Sequence, residues 1–392
     1  MAQIRMTALR SSSSSASSPR VFFYVQHLLG IGHIARASRI ASALAKDGCE
    51  VTVVTGGVPI NGFPGPDVTS VTLPPVVASS AGFSGLAHQS GNAVGEEFLA
   101  ARRDRLLAAF RTAAPDIVII EAFPFGRRQM RFELLPLLDA VAGANPKPKL
   151  YTSVRDILQQ QKKPGRDEET VALLRDHFDG VLVHGDPNFV RLEETFPLTS
   201  AISDKITYTG LVAPPLPPAP AEIFDIVVSA GGGAVGRDLI RASLEAASRV
   251  ALDRRWLLVT GPNLPEQDFA PLAKDAPGNV DLVRFRKDFP SLLRGAELSI
   301  SQAGYNTVGD LLVTGCRSIL VPFTAGGETE QSVRAERLEK LGLALALPEA
   351  GLTTDQLADA VEMALSRPKP SNPGIDLTGA ERTSAIIREM RR

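Results

Sequence analysis

The chain has 392 residues, 44% hydrophobic and 22% charged, with 42 basic against 43 acidic side chains and a net charge of −1. It is long enough for two cored domains and lacks the basic excess that nucleic-acid binding draws on. The two cysteines, Cys49 and Cys316, lie far apart and form no C-x-x-C pair. Neither a disulfide framework nor a zinc site is expected, and a reducing cytoplasm is the expected setting.

Residues 1–20, "MAQIRMTALRSSSSSASSPR", carry Arg and Ser, no acid and no continuous apolar core. They read as a disordered leader, with a transit peptide as the alternative and no case for a secretory signal. No stretch approaches the roughly 20 uninterrupted apolar residues that a membrane span needs. "VFFYV" (21–25) predicts a buried strand. The next segment, 33–47, predicts a helix with Ile34, Ala37, Ile40, Ala41 and Leu44 on one face. Strands are expected at 50–55, 116–120, 149–153 and 180–184, with helices over 96–113 and 167–177. This alternation predicts an α/β fold with a parallel, doubly wound sheet.

Five prolines within 214–220 break the rhythm. They exclude helix and central strand and predict a stiff connector. The pattern then restarts, with strands at 223–230 and 255–261, a helix over 236–250, and strands in "NVDLVRF", "AELSISQAG" and "CRSILVPF". The expected organisation is a first domain over 21–213, a linker over 214–221 and a second domain over 222–370. A crossing segment with a terminal helix, 371–392, would carry the chain back to the first domain.

Ligands of an open parallel sheet gather at the carboxyl ends of its strands. In the first domain those ends carry His27, Gly30, Gly32, His33, Glu121, Arg155 and His184. "GIGHIA" (30–35) has alanine where a dinucleotide fingerprint needs its third glycine, and no G-x-x-x-x-G-K-[ST] loop occurs. Instead the turn presents an imidazole, a natural general base near neutral pH; a capping or core histidine is the bland alternative. In the second domain Ser229 precedes Gly231, Gly232 and Gly233. Their amides beside a helix start suit a diphosphate, or form an ordinary tight turn. The stretch 301–331 places Gly304 in a turn, Asn306 and Thr307 at a helix start, Asp310 within its first turns, and Glu330-Gln331 at the next helix. These polar groups could grip ribose and sugar hydroxyls, or cap helices and face solvent. "PFGRRQMRFE" (124–133) suits an anionic acceptor or a solvated loop, and "RRDR" (102–105) reads as a solvated helix face. His88 reads as a surface residue, and His177 and Cys49 as structural.

The paired glycine turns and the 301–331 block resemble the GT-B glycosyltransferases. Within them they are most similar to the inverting family of the peptidoglycan lipid-intermediate N-acetylglucosaminyltransferase. The resemblance implies two Rossmann-like domains facing a cleft, with acceptor on the first and nucleotide-sugar on the second. It implies His33 as base, residues 229–234 at the phosphates, and Arg284 and Phe285 at the nucleobase. It implies Asp310 at the ribose, where the family has the longer glutamate, and Glu330 and Gln331 at the sugar. Glu328 and Glu336 mimic the E-x7-E pattern of retaining GT-B enzymes, but from the wrong helix. The expected activity is inverting transfer from a UDP-sugar to a hydroxyl acceptor, either saccharide or lipid-linked. Glu121 would orient the imidazole or serve as the base itself, and amides 231–233 with a helix dipole would meet the leaving-group charge. No cofactor, metal or nucleic acid is expected, and any membrane contact would be peripheral, at the cytoplasmic face. A nucleotide-sugar hydrolase or epimerase, and a non-catalytic nucleotide-sugar-binding regulator, are the rival readings.

Overall fold

The computed structural model describes residues 18–28, 32–78, 85–159, 163–231 and 236–390. Its first half contains β1 (Arg20–Val25), α1 (Gly32–Lys46), β2 (Glu50–Thr55), β3 (Thr69–Thr72), the short pair β4 (Val77–Ala78) and β5 (Leu86–Ala87), and α2 (Glu96–Ala113). There follow β6 (Ile117–Glu121), α3 (Arg131–Ala142), β7 (Lys149–Arg155), α4 (Arg166–His177), β8 (Gly180–His184) and β9 (Ile206–Tyr208). Seven strands form one parallel sheet in the order β3-β2-β1-β6-β7-β8-β9. The apolar runs explain its centre: every residue of β6 and β8, and residues 21–25 of β1, are buried. Strands covered by helices on both faces need such continuous runs rather than alternation.

The second half contains β10 (Ile226–Ser229), α5 (Arg237–Ala247), β11 (Trp256–Val259), α6 (Glu266–Lys274), β12 (Val280–Val283) and α7 (Phe289–Gly295). It continues with β13 (Leu298–Ser301), α8 (Tyr305–Thr314), β14 (Arg317–Leu320), α9 (Glu330–Lys340), β15 (Leu345–Ala346), α10 (Thr354–Ser366) and α11 (Gly379–Glu389). Its parallel sheet runs β12-β11-β10-β13-β14-β15. In each sheet the strand order reverses beside the first strand, between β1 and β6 and between β10 and β13. Crevices form at such reversals, outside the carboxyl ends of the strands.

Residues 213–220 have no regular structure. The chain returns at its other end. Leu211 N–H donates to Asp376 O at 2.8 Å, and Val212 bridges to Thr378. Helix α11 then lies on α1, burying Ala380 and Ile387 among Val21, Phe23, Ile34 and Ile40 of the first half. Gly210 and Gly379 make this crossing possible. A Cβ on Gly379 would stand 2.4 Å from Gly210 O, and Gly210 itself has φ +83°.

The "RRDR" reading of a solvated face needs correction at one position. Asp104 and Arg105 are exposed, but Arg102 is wholly buried. Its guanidinium donates to Glu133 (2.8 Å), to Gln26 Oε1 (2.6 Å), and to the carbonyls of Gly56 (2.9 Å) and Pro74. Tyr24 Oη also donates to Glu133, at 2.5 Å. A planar five-donor fork can be buried only when it is saturated in this way.

Candidate functional site

Between the two halves lies a cavity of about 410 Å³, lined from one side by Gly32, His33, Arg36, Arg127, Gln129 and Arg155. From the other side it is lined by Gly231, Gln302, Gly304, Tyr305, Asn306, Thr307, Glu328, Glu330 and Gln331. The cavity is where the strand-end geometry placed it. The starts of α1, α8 and α9 all open onto it; free N–H groups at α1 and α8 give it a positive partial charge, whereas at α9 the Glu330 N–H donates to Glu328 Oε1 at 3.0 Å.

His33 occupies the first turn of α1, and Glu121 closes β6, the neighbour of β1. That adjacency brings His33 Nδ1 within 2.6 Å of Glu121 Oε1. Arg36, one turn further along α1, donates to the same oxygen at 2.5 Å, and Arg127 stands 3.4 Å from the other. Glu121 is wholly buried, whereas the His33 side chain keeps 24% of its surface exposed. Burial pushes the Glu121 carboxyl up, but His33, Arg127 and Arg36 together outweigh it and hold the group ionised, far below the usual range. His33 is lowered, chiefly by burial, with Glu121 opposing and Arg127 and Arg36 adding to the fall. A neutral imidazole that donates through Nδ1 to a fixed carboxylate leaves Nε2 as a proton acceptor.

Opposite this pair, Gly231 has φ +77°, and a Cβ there would stand 2.8 Å from Gln302 Oε1. Ser229 does not line the cavity; its hydroxyl accepts from Gly231 N–H at 3.3 Å and shapes the turn. Gly30, Gly232 and Gly233 lie outside the described residues. Gln331 accepts from Phe323 N–H at 3.2 Å while lining the cleft. Glu330 is less free than a sugar-gripping acid would be: it accepts from Arg155 at 2.6 Å and from Arg334 at 2.7 Å. Burial raises its carboxyl, and Arg155 and Arg334 more than reverse that. Arg334 also holds Asp156 of the first half through two bonds, at 2.8 and 3.1 Å. Asn306 likewise spans the gap, donating to Gly32 O (3.1 Å) and accepting from Arg39 (3.2 Å).

Several expected contacts are not brought to the cavity. His184 is fully buried, with its ring nitrogens at 2.7 Å from Ser153 Oγ and 2.8 Å from Thr209 Oγ1. It is a core residue and has no route to an acceptor. His27 is buried against Gly57, where a Cβ would come within 2.3 Å of the ring. Arg284 donates to Leu264 O, pairs with Glu266 and lies over the Phe269 ring, while Phe285 is 64% exposed. Neither lines the cavity. Asp310 does not line it either; one carboxyl oxygen is buried without a partner, near Arg39. Burial pushes this carboxyl up to about 6 against the pull of Arg39.

The sequence reading missed Arg36, and it covered Arg127 and Gln129 only within the 124–133 stretch and Gln302 and Tyr305 only within 301–331, without naming them as cavity residues. Arg36 had a signal, since position i+3 from His33 shares its helix face. Of the "GRR" arginines, Arg127 faces Glu121 and Arg128 pairs with Glu169. His88 packs edge-on against Phe98, with ring centres 4.5 Å apart. Among the described residues no helix is long and apolar enough to cross a membrane.

Residues 226–383 match the family model of the glycosyltransferase family 28 C-terminal domain. The UDP-N-acetylglucosamine–N-acetylmuramyl-(pentapeptide) pyrophosphoryl-undecaprenol N-acetylglucosamine transferase of Gloeobacter violaceus is 32% identical over 152 residues, 39% of this chain and 42% of that protein. The counterpart from Thermotoga neapolitana is 27% identical, over 46% of this chain and 51% of its own. The chain thus spans about half the length of these relatives. Among solved structures, MurG of Acinetobacter baumannii has a TM-score of 0.59 at 15% identity, covering 95% of this chain and all of the other. The fold is therefore that of the GT-B glycosyltransferases, two Rossmann-like domains about a cleft.

Proposed function

We propose that the protein is a glycosyltransferase that moves a sugar from a nucleoside diphosphate to an acceptor hydroxyl, with inversion. The observation that carries this reading is the placement of the His33–Glu121 pair and of Gly231 with the α8 start on opposite walls of one cavity. In the proposed step His33 Nε2 takes the acceptor's hydroxyl proton. The freed oxygen forms a bond to the anomeric carbon from the face opposite the diphosphate, and the bond from that carbon to the diphosphate oxygen breaks. The imidazolium so formed is stabilised by Glu121, which stays ionised throughout. The α8 start on the second wall meets the negative charge on the departing diphosphate. No further cofactor takes part in this scheme.

The acceptor side is taken to be residues 21–213, the donor side residues 222–370, and residues 214–221 the joint. Uridine is the proposed base, because the relatives are named for UDP-N-acetylglucosamine. Arg127 and Arg155 on the first wall suit an acceptor carrying negative charge, and the same relatives are named for a pyrophosphoryl-lipid acceptor. The acceptor is accordingly taken to be lipid-linked, met by peripheral contact at the cytoplasmic face of the membrane.

Calorimetric titration with UDP, GDP and dTDP tests the donor side, with saturation by UDP expected. Transfer is then followed by NMR with the matching sugar nucleotides, and a product of inverted anomeric configuration is expected. Sugar release to water at the same rate with and without acceptor would replace the transferase with a hydrolase. Nucleotide binding without any turnover would leave a binding protein.

A further inference from the structure

Tyr305 belongs to the second half, yet its contacts lie largely in the first. Its hydroxyl donates to His184 O at 2.9 Å and accepts from Val212 N–H at 2.8 Å, which fixes the ring. The guanidinium carbons of Arg36 and Arg334 lie over that ring, 5.5 and 5.7 Å from its centre. Both arginines are buried, so attraction to the aromatic face is not diluted by water. Arg36 then donates to the Glu121 oxygen that His33 also uses, and its Nη2 stands 3.5 Å from His33 Nδ1.

We infer that Tyr305 is a positioning residue for His33, acting across the domain boundary through Arg36 and Glu121. The ring holds Arg36 in register with Glu121, and Glu121 aims the imidazole. The base is then correctly set only while the donor-side helix α8 is docked on the first domain. This ties proton removal to the arrangement in which the donor wall is in place. The inference rests on the proposed reaction for its purpose, but its geometry can be tested without turnover.

The measurement is an NMR titration of the histidine rings in full-length protein, with the His33 signal assigned by its loss in His33→Gln. The groups facing His33 are Glu121 from β6, Arg127 from the loop after it, Arg36 from α1 and Glu330 from α9. Because Arg36 contributes to lowering the imidazole, Tyr305→Leu should move its titration upward, and Arg36→Gln should do the same. The double variant should titrate like Arg36→Gln alone, since the ring acts through that guanidinium. Tyr305→Phe should lower the melting temperature through the two lost hydrogen bonds and leave the His33 titration in place. Tyr305→Met, which fills much of the space without an aromatic face, replaces the leucine variant should that fail to fold. An unmoved titration in the leucine or methionine variant, or additive shifts in the double variant, would overturn the inference. In the transfer assay the leucine variant should lose about tenfold in kcat while UDP affinity holds. Equal losses of kcat and UDP affinity with an unmoved titration would reduce Tyr305 to packing. If wild-type protein transfers no sugar yet the titration moves as expected, the proposed reaction fails and the positioning stands.

Discussion

The first domain presents His33, Arg36, Arg127 and Arg155 to the cleft as charged or titratable side chains, all tied to buried carboxylates. The second domain presents the α8 start with Gly304 and Thr307, the turn at Gly231, and the side chains of Gln302, Asn306, Glu328 and Glu330. One wall is suited to moving a proton and the other to holding an anion. The difference teaches where mutations should separate rate from affinity.

The largest effect is expected on the first wall. His33→Ala should lower kcat by about 10²–10⁴-fold, the usual loss for a general base, with UDP affinity unchanged by calorimetry. If instead this variant kept near-normal kcat while Glu121→Ala abolished it, the carboxylate would be the base. Stability gives the next contrast. Arg102→Met leaves Glu133 buried without its cation and should cost ~3–5 kcal/mol in urea unfolding, against at most ~0.5 kcal/mol for the half-exposed neighbour in Arg103→Ala. Equal, small losses would mean that the buried network holds nothing together. On the second wall, Gly231→Ala places a Cβ at φ +77° against Gln302 and should weaken UDP binding about tenfold while sparing kcat at saturation. A fall in kcat with intact binding would blur the division between the walls.

The smallest effect concerns Asp310. Its folded-state value of about 6 is raised above the ordinary 3.8, so folding favours the protonated acid. That contribution is complete below about 3.8 and lost as pH rises through about 6, where a charge must be kept in a buried place. Asp310→Asn should therefore raise the melting temperature by roughly a degree or two at pH 7.5 and by nothing at pH 3.5. Should the same change weaken UDP binding tenfold or more, Asp310 reaches the ribose after all, as the resemblance implied.

Most of the sheet was legible because buried parallel strands require unbroken apolar runs, and "VFFYV", "DIVII" and "GVLVH" are such runs. His33 and Glu121 were legible for the same reason, as polar residues set just past or at the end of those runs. His184 obeyed the same rule and misled. At a strand end a side chain can face the crevice or turn into the sheet's covering layers, and Ser153 and Thr209 were there to receive it. Arg102 was hidden because its partner Glu133 sits on another helix, 31 positions away, and a run of charges alone reads as solvated. Arg284 and Phe285, also set at a strand end, misled as His184 did: Arg284 is occupied by its own domain. Tyr305 could not be read at all, since its meaning comes from contacts across the domain boundary.

The docking of α11 on α1 has a consequence for how the chain is made. The first domain's apolar layer is finished by Ala380 and Ile387, which are synthesised after every strand of both sheets. Until α11 has been made, that layer stays open, and the strands of the second domain are complete before the first domain is covered. Loss of the final dozen residues would strip cover from Ile34 and Ile40 in the half of the molecule farthest from the cut in sequence. A fragment meant to carry the second domain alone should accordingly stop before α11, because a longer one would expose the apolar face of a helix whose seat lies in the missing half.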